Sequence, residues 1–160
     1  ASGSGLDMVH ADTDFDAWLS PHIADVAPWA FVDAGSGKGR AVMLASRLPF
    51  REVLGVEYSR QLHDIARANL DRWPPAEVRA KAIGVICADA TEAELPGGSL
   101  VVFMHNPFDA TLMARFASRF VGRIDPLLVV YFTPHHAQVW YGVPGLLRVD
   151  ERPGALIWKN

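Results

Sequence analysis

The strongest constraint in this sequence is a loop with three alternating glycines that directly follows a short apolar run. The run Trp29-Ala-Phe-Val-Asp33 ends in an acid, and Ala34-Gly35-Ser36-Gly37-Lys38-Gly39 comes next. A helical pattern of apolar residues then begins, which predicts a strand, a glycine loop and a helix. In open parallel sheets, ligands bind where the carboxyl ends of strands meet such loops. The loop therefore predicts a ligand site.

The spacing of these glycines narrows the kind of ligand. Glycine lets a ligand approach the backbone closely, and the amides at a helix start favour a negatively charged group. A dinucleotide fingerprint requires Gly-x-Gly-x-x-Gly, and a P-loop requires Ser or Thr after Gly-Lys. Neither pattern fits, because Gly35, Gly37 and Gly39 alternate and Gly39 itself follows Lys38. One alternative is a turn that only packs the helix onto the strand.

The bulk composition describes a globular domain. The chain has 160 residues, half of them hydrophobic, and a formal charge of −3, which suits a single domain with its own core. Lys and Arg form no cluster, so we do not expect contacts to a nucleic-acid backbone. The single cysteine, Cys87, allows no internal disulfide. No apolar run reaches the roughly 20 residues of a membrane span, and Ala1–Gly5 resembles a flexible tail rather than a signal peptide. We expect a cytoplasmic protein.

Strands and helices alternate along most of the chain. Apolar runs predict strands at 29–33, 52–57, 82–87, 100–105 and 127–132, and a final hairpin at 146–149 and 155–158. Helical periodicity predicts one kinked helix or two short ones between Phe15 and Val26, and further helices at 39–48, after Ser59 and after Asp109. This alternation requires a parallel sheet with right-handed crossovers. We interpret 1–28 as a tail and helical segment packing on the sheet, and 29–160 as the ligand-binding domain.

Two acids at strand ends suit a nucleoside. Glu57 ends the second predicted strand and can accept hydrogen bonds from two ribose hydroxyls, as acids do in dinucleotide folds. Tyr58 beside it is able to cover a face of an adenine ring. Asp89 ends the third predicted strand and suits either an exocyclic amine or the cap of a following helix.

A family resemblance emerges when these motifs are taken together. Four of them stand in order at successive strand ends: 33–39, Glu57, 88–90 and 106–108. Together they resemble class I S-adenosylmethionine-dependent methyltransferases, and the stretch 31–40 most resembles small bacterial members of unknown substrate. The resemblance implies a Rossmann-like, doubly wound α/β fold with helices on both faces of a seven-stranded sheet. The implied strand order is 3-2-1-4-5-7-6, with strand 7 antiparallel.

The resemblance also implies S-adenosyl-L-methionine as cofactor and a role for each motif. The glycine loop would contact the methionine part through its backbone, with Asp33 beside it. Glu57 would bind the ribose, and Asp89 with its neighbours would hold the adenine. The implied cofactor-binding residues are Asp33, Ala34, Gly35, Ser36, Gly37, Gly39, Glu57, Tyr58, Asp89, Ala90 and Asn106.

The segment Asn106-Pro107-Phe108 is the implied catalytic element. Amino methyltransferases often carry Asn or Asp, two prolines and an aromatic residue here. The Asn side chain and a backbone carbonyl accept hydrogen bonds from the target amine and aim its lone pair at the methyl carbon. This chain has one proline where those enzymes have two. A turn that only starts a helix is the alternative interpretation.

The expected function is therefore methyl transfer from S-adenosylmethionine to an amine nitrogen of a protein or a small molecule. No general base is required, and no metal is expected because His105, His135 and His136 lack ligand spacing. No membrane or nucleic-acid partner is expected, and the oligomeric state stays open. Two alternatives remain: a non-catalytic module that binds the cofactor, and a nicotinamide-dependent oxidoreductase, which the glycine spacing disfavours. The family's aromatic-Glu-Pro-Thr element is matched in 9–13 only by Thr13.

Overall fold

A computed structural model describes residues 13–160 of the chain. The predicted tail Ala1–Gly5 and most of segment 9–13 lie outside these residues. Seven strands form one sheet: β1 (Ala30–Ala34), β2 (Glu52–Glu57), β3 (Ile83–Cys87), β4 (Leu100–His105), β5 (Leu127–Phe132), β6 (Leu147–Arg152) and β7 (Ala155–Lys159). The helices are α1 (Phe15–Leu19), α2 (Arg40–Ala45), α3 (Arg60–Arg72), α4 (Ala110–Ser118) and α5 (Ala137–Tyr141).

The sheet has the predicted topology. Its strand order is β3-β2-β1-β4-β5-β7-β6. The five strands from β3 to β5 are parallel, and β7 runs antiparallel to both β5 and β6. The predicted seven-stranded, doubly wound α/β fold is therefore confirmed, including the reversed seventh strand.

Apolar layers cover both faces of the sheet. The central strand β1 is buried along its whole length, as expected for a strand that is covered on two sides. One layer joins α4 and α5 to the sheet and is rich in aromatic residues: Phe116, Phe120, Trp140 and Trp158. The other joins α1 and α2 to the sheet through Phe15, Leu19, Phe31, Phe50 and Phe103. Within residues 13–160, no helix has the length and apolarity needed to cross a membrane.

Several boundaries differ from the sequence prediction. The first helix ends at Leu19 instead of continuing towards Val26, because Pro21 has no N–H to extend the helical hydrogen bonds. The second, α2, is shorter than 39–48, since the chain tightens after Ala45 into bonds of the i to i+3 type. The hairpin strand predicted at 146–149 covers Leu147–Arg152, and α5 was not predicted.

The two helices after β2 and β4 begin at the predicted caps. The Ser59 hydroxyl accepts a hydrogen bond from the Leu62 N–H, and the Asp109 carboxylate accepts one from the Leu112 N–H. Helix α3 buries Ala66 and His63, and Nε2 of His63 lies 3.3 Å from the carbonyl oxygen of Val85. These caps direct the start of each helix towards the carboxyl edge of the sheet.

Candidate functional site

A cleft of about 680 Å³ opens at the carboxyl ends of the parallel strands. This volume suits a small-molecule ligand. Its walls come from the loops after β1, β2, β3 and β4 and from the first turns of α3 and α4: Gly35, Gly37, Val56, Glu57, Tyr58, Leu62, Ala88, Asp89, Ala90, Pro107, Phe108 and Leu112. It lies at the topological switch point, because β1 pairs with β2 on one side and β4 on the other.

The glycine loop after β1 forms the floor of the cleft. Gly35, Gly37 and Gly39 all have positive φ, which residues with a Cβ rarely adopt. A Cβ at Gly35 would overlap the ring of Pro107, so this glycine lets two loops touch. A Cβ at Gly37 would meet no atom within 4 Å. Gly37 therefore leaves space at the cleft for a ligand to approach the backbone.

The loop is fixed against β2 by close packing and hydrogen bonds. The N–H groups of Gly35 and Ser36 donate to the Val56 carbonyl oxygen at 2.8 and 3.0 Å. Gly55 lies beneath them, and a Cβ at this position would come within 2.7 Å of the Ser36 hydroxyl oxygen. A glycine in the middle of β2 thus permits the close approach of the loop.

Glu57 connects the glycine loop to the start of α3. Its Oε1 accepts a hydrogen bond from the Gly37 N–H at 2.9 Å, and its Oε2 accepts one from the Ser59 N–H at 2.8 Å. The residue is only 9% exposed. A carboxylate has about four acceptor positions, so each oxygen keeps one lone pair for a ligand. Glu57 therefore fixes the loop geometry and also lines the cleft.

Asp33 is a second buried acid below the glycine loop. It is 4% exposed, and it does not line the cleft. Burial, together with the negative charge of Glu57, raises the pKa of the Asp33 carboxyl to about 8. At neutral pH this carboxyl is therefore mostly protonated.

The raised pKa of Asp33 predicts a pH-dependent stability. The unfolded carboxyl titrates near 3.8 and the folded one near 8, so the folded state binds more protons between these values. The free energy of unfolding should therefore fall as pH rises from about 4 to about 8. We expect Asp33→Asn to remove this fall and to stabilise the protein by about 1–3 kcal/mol at about pH 9. Urea unfolding of the natural protein and of Asp33→Asn across this pH range measures the free energy of unfolding of each. A variant that is less stable than the natural protein at high pH would contradict the prediction.

Asp89 organises the loop after β3. Its Oδ1 accepts hydrogen bonds from the Thr91 N–H and hydroxyl at 2.9 and 2.7 Å, and these bonds lower the pKa of the carboxyl. The Asp89 carbonyl oxygen accepts hydrogen bonds from the N–H groups of Glu92 and Ala93, and these bonds form a turn where the sequence had suggested the start of a helix. Arg119, which directly follows α4, braces the same loop by donating to the Ala90 and Ala93 carbonyl oxygens, each at 2.6 Å. Tyr58 also lines the cleft and is 79% exposed.

Only part of the segment after β4 lines the cleft. Pro107 and Phe108 line the cleft, and Phe108 packs on Phe116 of the core. Asn106 does not line it. Its φ of 41° is unusual for a residue before proline. Its amide lies between the loop after β5 and the buried end of that strand, bonded to His135 and Tyr131.

The cleft collects eight of the predicted site residues: Gly35, Gly37, Glu57, Tyr58, Asp89, Ala90, Pro107 and Phe108. The others lie beside or behind it: Asp33, Ala34, Ser36, Gly39 and Asn106. Leu62 and Leu112 were missed as lining residues. Both occupy the first turn of a helix that follows a strand, which was the available signal. Arg119 was also missed, because its contact with the loop joins positions far apart in sequence.

Histidines gather at the ends of β4 and β5. The pKa of His105 is lowered by partial burial and by the nearby His135. Across residues 13–160, no group of three or more His, Cys, Asp or Glu side chains is arranged to hold a metal ion.

The strand order, the antiparallel seventh strand and the glycine loop after β1 define the fold of class I S-adenosylmethionine-dependent methyltransferases. No protein-family model and no curated protein matches the sequence. Among solved structures, an RNA methyltransferase from Salinibacter ruber in complex with S-adenosyl-L-homocysteine shares 20% identity at a TM-score of 0.60, covering 90% of this chain and 86% of that one.

Two further structures share the fold. Magnesium protoporphyrin IX methyltransferase from Synechocystis PCC 6803, with bound S-adenosylmethionine, shows 17% identity and a TM-score of 0.58, covering 91% of this chain and 74% of that one. The YcgJ protein of Bacillus subtilis shows 14% identity and a TM-score of 0.53, covering 78% of this chain and 53% of that one. The chain thus spans about half the length of YcgJ. These similarities show the fold.

Proposed function

We propose that this chain binds S-adenosylmethionine in the cleft and transfers its methyl group to an amine nitrogen of a protein or a small molecule. The observation that carries the proposal is the charge of the cleft. Among the described residues that line it, the two charged side chains, Glu57 and Asp89, are both acids. S-adenosylmethionine carries a positively charged sulfonium and an ammonium group, which such a cleft favours.

The residues present fit this cofactor. The space above Gly37 admits a ligand to the backbone, and the methionine part would lie along Gly35 and Gly37. The free lone pairs of Glu57 would accept the ribose hydroxyls. The loop braced by Arg119 would hold the adenine, with Asp89 accepting from its amine and Tyr58 available at the rim. Loops that position a ligand in this way are themselves fixed by hydrogen bonds.

The transfer itself needs alignment more than acid or base chemistry. The bound sulfonium supplies an already activated methyl group. Pro107 and Phe108 would form the wall on which an acceptor amine packs, and Asn106 stands immediately behind that wall. Partial burial and the nearby His135 lower the pKa of His105, which disfavours a positive charge at the end of β4. An amine acceptor therefore needs only to arrive deprotonated and held in line.

The charge of the cleft also argues against the nicotinamide alternative. A dinucleotide brings a diphosphate, which proteins hold with backbone amides, helix starts and often basic side chains. In the described part of the chain, no Lys or Arg lines the cleft, and one of the loop amides, that of Gly37, is already bonded to Glu57. The chain's net negative charge likewise supports a protein or small-molecule acceptor over a nucleic acid.

Binding of the cofactor is the first prediction that tests this proposal. We expect calorimetry to show that S-adenosylmethionine and S-adenosylhomocysteine bind with micromolar dissociation constants, which correspond to a binding free energy of roughly −8 kcal/mol. Reduced nicotinamide dinucleotide should give no binding heat. Cell extract incubated with the protein and methyl-labelled cofactor is then analysed by mass spectrometry. No binding heat with either adenosyl compound would refute the proposal. Binding without any labelled product would instead favour the non-catalytic module.

A further inference from the structure

A chain of hydrogen bonds connects the ends of β4 and β5 behind the cleft. The backbone N–H of His136 donates to the Tyr131 hydroxyl at 3.2 Å. That hydroxyl donates to Asn106 Oδ1 at 2.9 Å. The Asn106 Nδ2 lies 2.9 Å from Nδ1 of His135. Three side chains, one from β5 and one each from the loops after β4 and β5, are thus joined in one line.

The direction of donation along these hydrogen bonds is set at the buried end, by the Tyr131 hydroxyl. A backbone N–H only donates, so the Tyr131 hydroxyl accepts there and directs its own proton to Asn106 Oδ1. The Asn106 amide therefore presents its NH₂ group to His135, and Nδ1 of His135 must accept. The tautomer that fits carries its proton on Nε2. Tyr131 is fully buried, and burial raises the pKa of its hydroxyl, so it stays a donor.

The backbone of both loops is shaped to make these contacts. Asn106 and Thr133 directly follow the paired strand ends His105 and Phe132, and each precedes a proline. Both have positive φ, at 41° and 54°. Such conformations are strained for residues other than glycine and persist where the surroundings enforce them. With this backbone conformation in both loops, the side chain of His135 lies against that of Asn106.

We propose that His135 is a positioning residue of the methyl-acceptor subsite, which holds the Asn106 amide in one orientation through its unprotonated Nδ1. The inference rests on the proposed function, because Asn106 adjoins the cleft wall at Pro107 and Phe108. Protonation of His135 at Nδ1 places two donors face to face and breaks this bond. The amide then loses its fixed orientation, and the wall next to it loses its support.

The titratable groups around His135 belong to both strands. His105 lies at the end of β4, and its own pKa is lowered in part by His135. Tyr131 and His136 come from β5 and its loop. Because His136 joins the chain only through its backbone, its side chain can be replaced without removing a bond. His136→Ala is therefore the matched control for a change at His135.

Nuclear magnetic resonance of the side-chain amides tests the proposal without any ligand. The chain has three asparagines and two glutamines, Asn69, Asn106, Asn160, Gln61 and Gln138, so Asn106→Asp identifies the Asn106 signals. We expect these signals to move, as the pH is lowered, together with the ring signals of His135. The movement should be lost in His135→Phe and kept in His136→Ala. Asn106 signals that do not move, or that move equally in His135→Phe, would overturn the proposal.

A second measurement separates this proposal from the proposed function. His135→Phe should lower methyl transfer from labelled cofactor into extract by about 10-fold to 100-fold, with an unchanged dissociation constant for S-adenosylhomocysteine. Loss of S-adenosylhomocysteine binding in His135→Phe would overturn the positioning role. If the natural protein binds no adenosyl compound but its Asn106 signals follow His135, the proposed function fails and the amide contact stands.

Discussion

Glu57→Gln is expected to lower both the stability of the fold and the affinity for the adenosyl cofactor. The carboxylate accepts one backbone N–H on each oxygen, whereas glutamine has one acceptor oxygen and would direct its NH₂ group at the other N–H. Hydrogen bonds to charged groups contribute about 1.5–3 kcal/mol each. We therefore expect a loss of about 2–4 kcal/mol in the free energy of unfolding and a tenfold or greater loss of affinity, by the same principle.

Urea unfolding and calorimetry with S-adenosylhomocysteine measure the two effects. Glu52→Gln is the matched control, because it makes the same chemical change at the opposite end of β2, away from the cleft. It should leave affinity unaltered. If Glu57→Gln were as stable as the control, the bonds to Gly37 and Ser59 would contribute nothing. If its stability fell but its affinity did not, the ribose assignment would be wrong.

A pair of glycine substitutions is expected to separate the folding role of the loop from its binding role. Gly35→Ala places a methyl group into the ring of Pro107 at a φ of 79°, and we expect it to cost about 2–4 kcal/mol of stability. Gly37→Ala meets no protein atom within 4 Å and should cost only about 1 kcal/mol through its positive φ. Its methyl group would enter the space left for the ligand.

Gly37→Ala should therefore remain folded and lose cofactor affinity, while Gly35→Ala loses stability first. Thermal unfolding and calorimetry of both variants provide the comparison. Gly122→Ala is a suitable control, because its φ of 75° is also positive, nothing lies within 4 Å of its Cβ, and it is remote from the cleft. Equal affinity in Gly37→Ala and the control would show that the open space at Gly37 is not occupied by a ligand.

The sheet could be predicted because the apolar residues along each buried strand are visible in its own sequence. Strands β2, β4 and β5 begin and end at the predicted residues, and β4 and β5 are the nearly continuous apolar runs expected of strands that are covered on both faces. Helix α5 could not be predicted. Five residues are too few to form a stable helix in isolation, and this one forms because Trp140 is buried against Trp158 and Met113.

The site could be predicted to the level of loops but not of side-chain directions. Acids and glycines at successive strand ends converge because parallel strands end at one edge, and Glu57 and Asp89 do meet at the cleft. The sequence did not predict that Glu57 fixes the glycine loop as well as lining the cleft, because its hydrogen bond to Gly37 depends on the packing of the loop over Gly55. The orientation of Asn106 was hidden for a similar reason, since His135 and Tyr131 meet it only after β4 and β5 have paired.

The position of β1 between β2 and β4 has a consequence for cooperativity. The cleft takes one wall from the half of the sheet that precedes β4 in sequence and another from the loop after β4. Opening of either half removes part of the cleft, so a bound ligand favours only the state in which both halves are joined. A ligand at 100 times its dissociation constant would add about 2.7 kcal/mol to that state. The ligand would thus stabilise the two halves of the sheet together, across the pairing of β1 with β4.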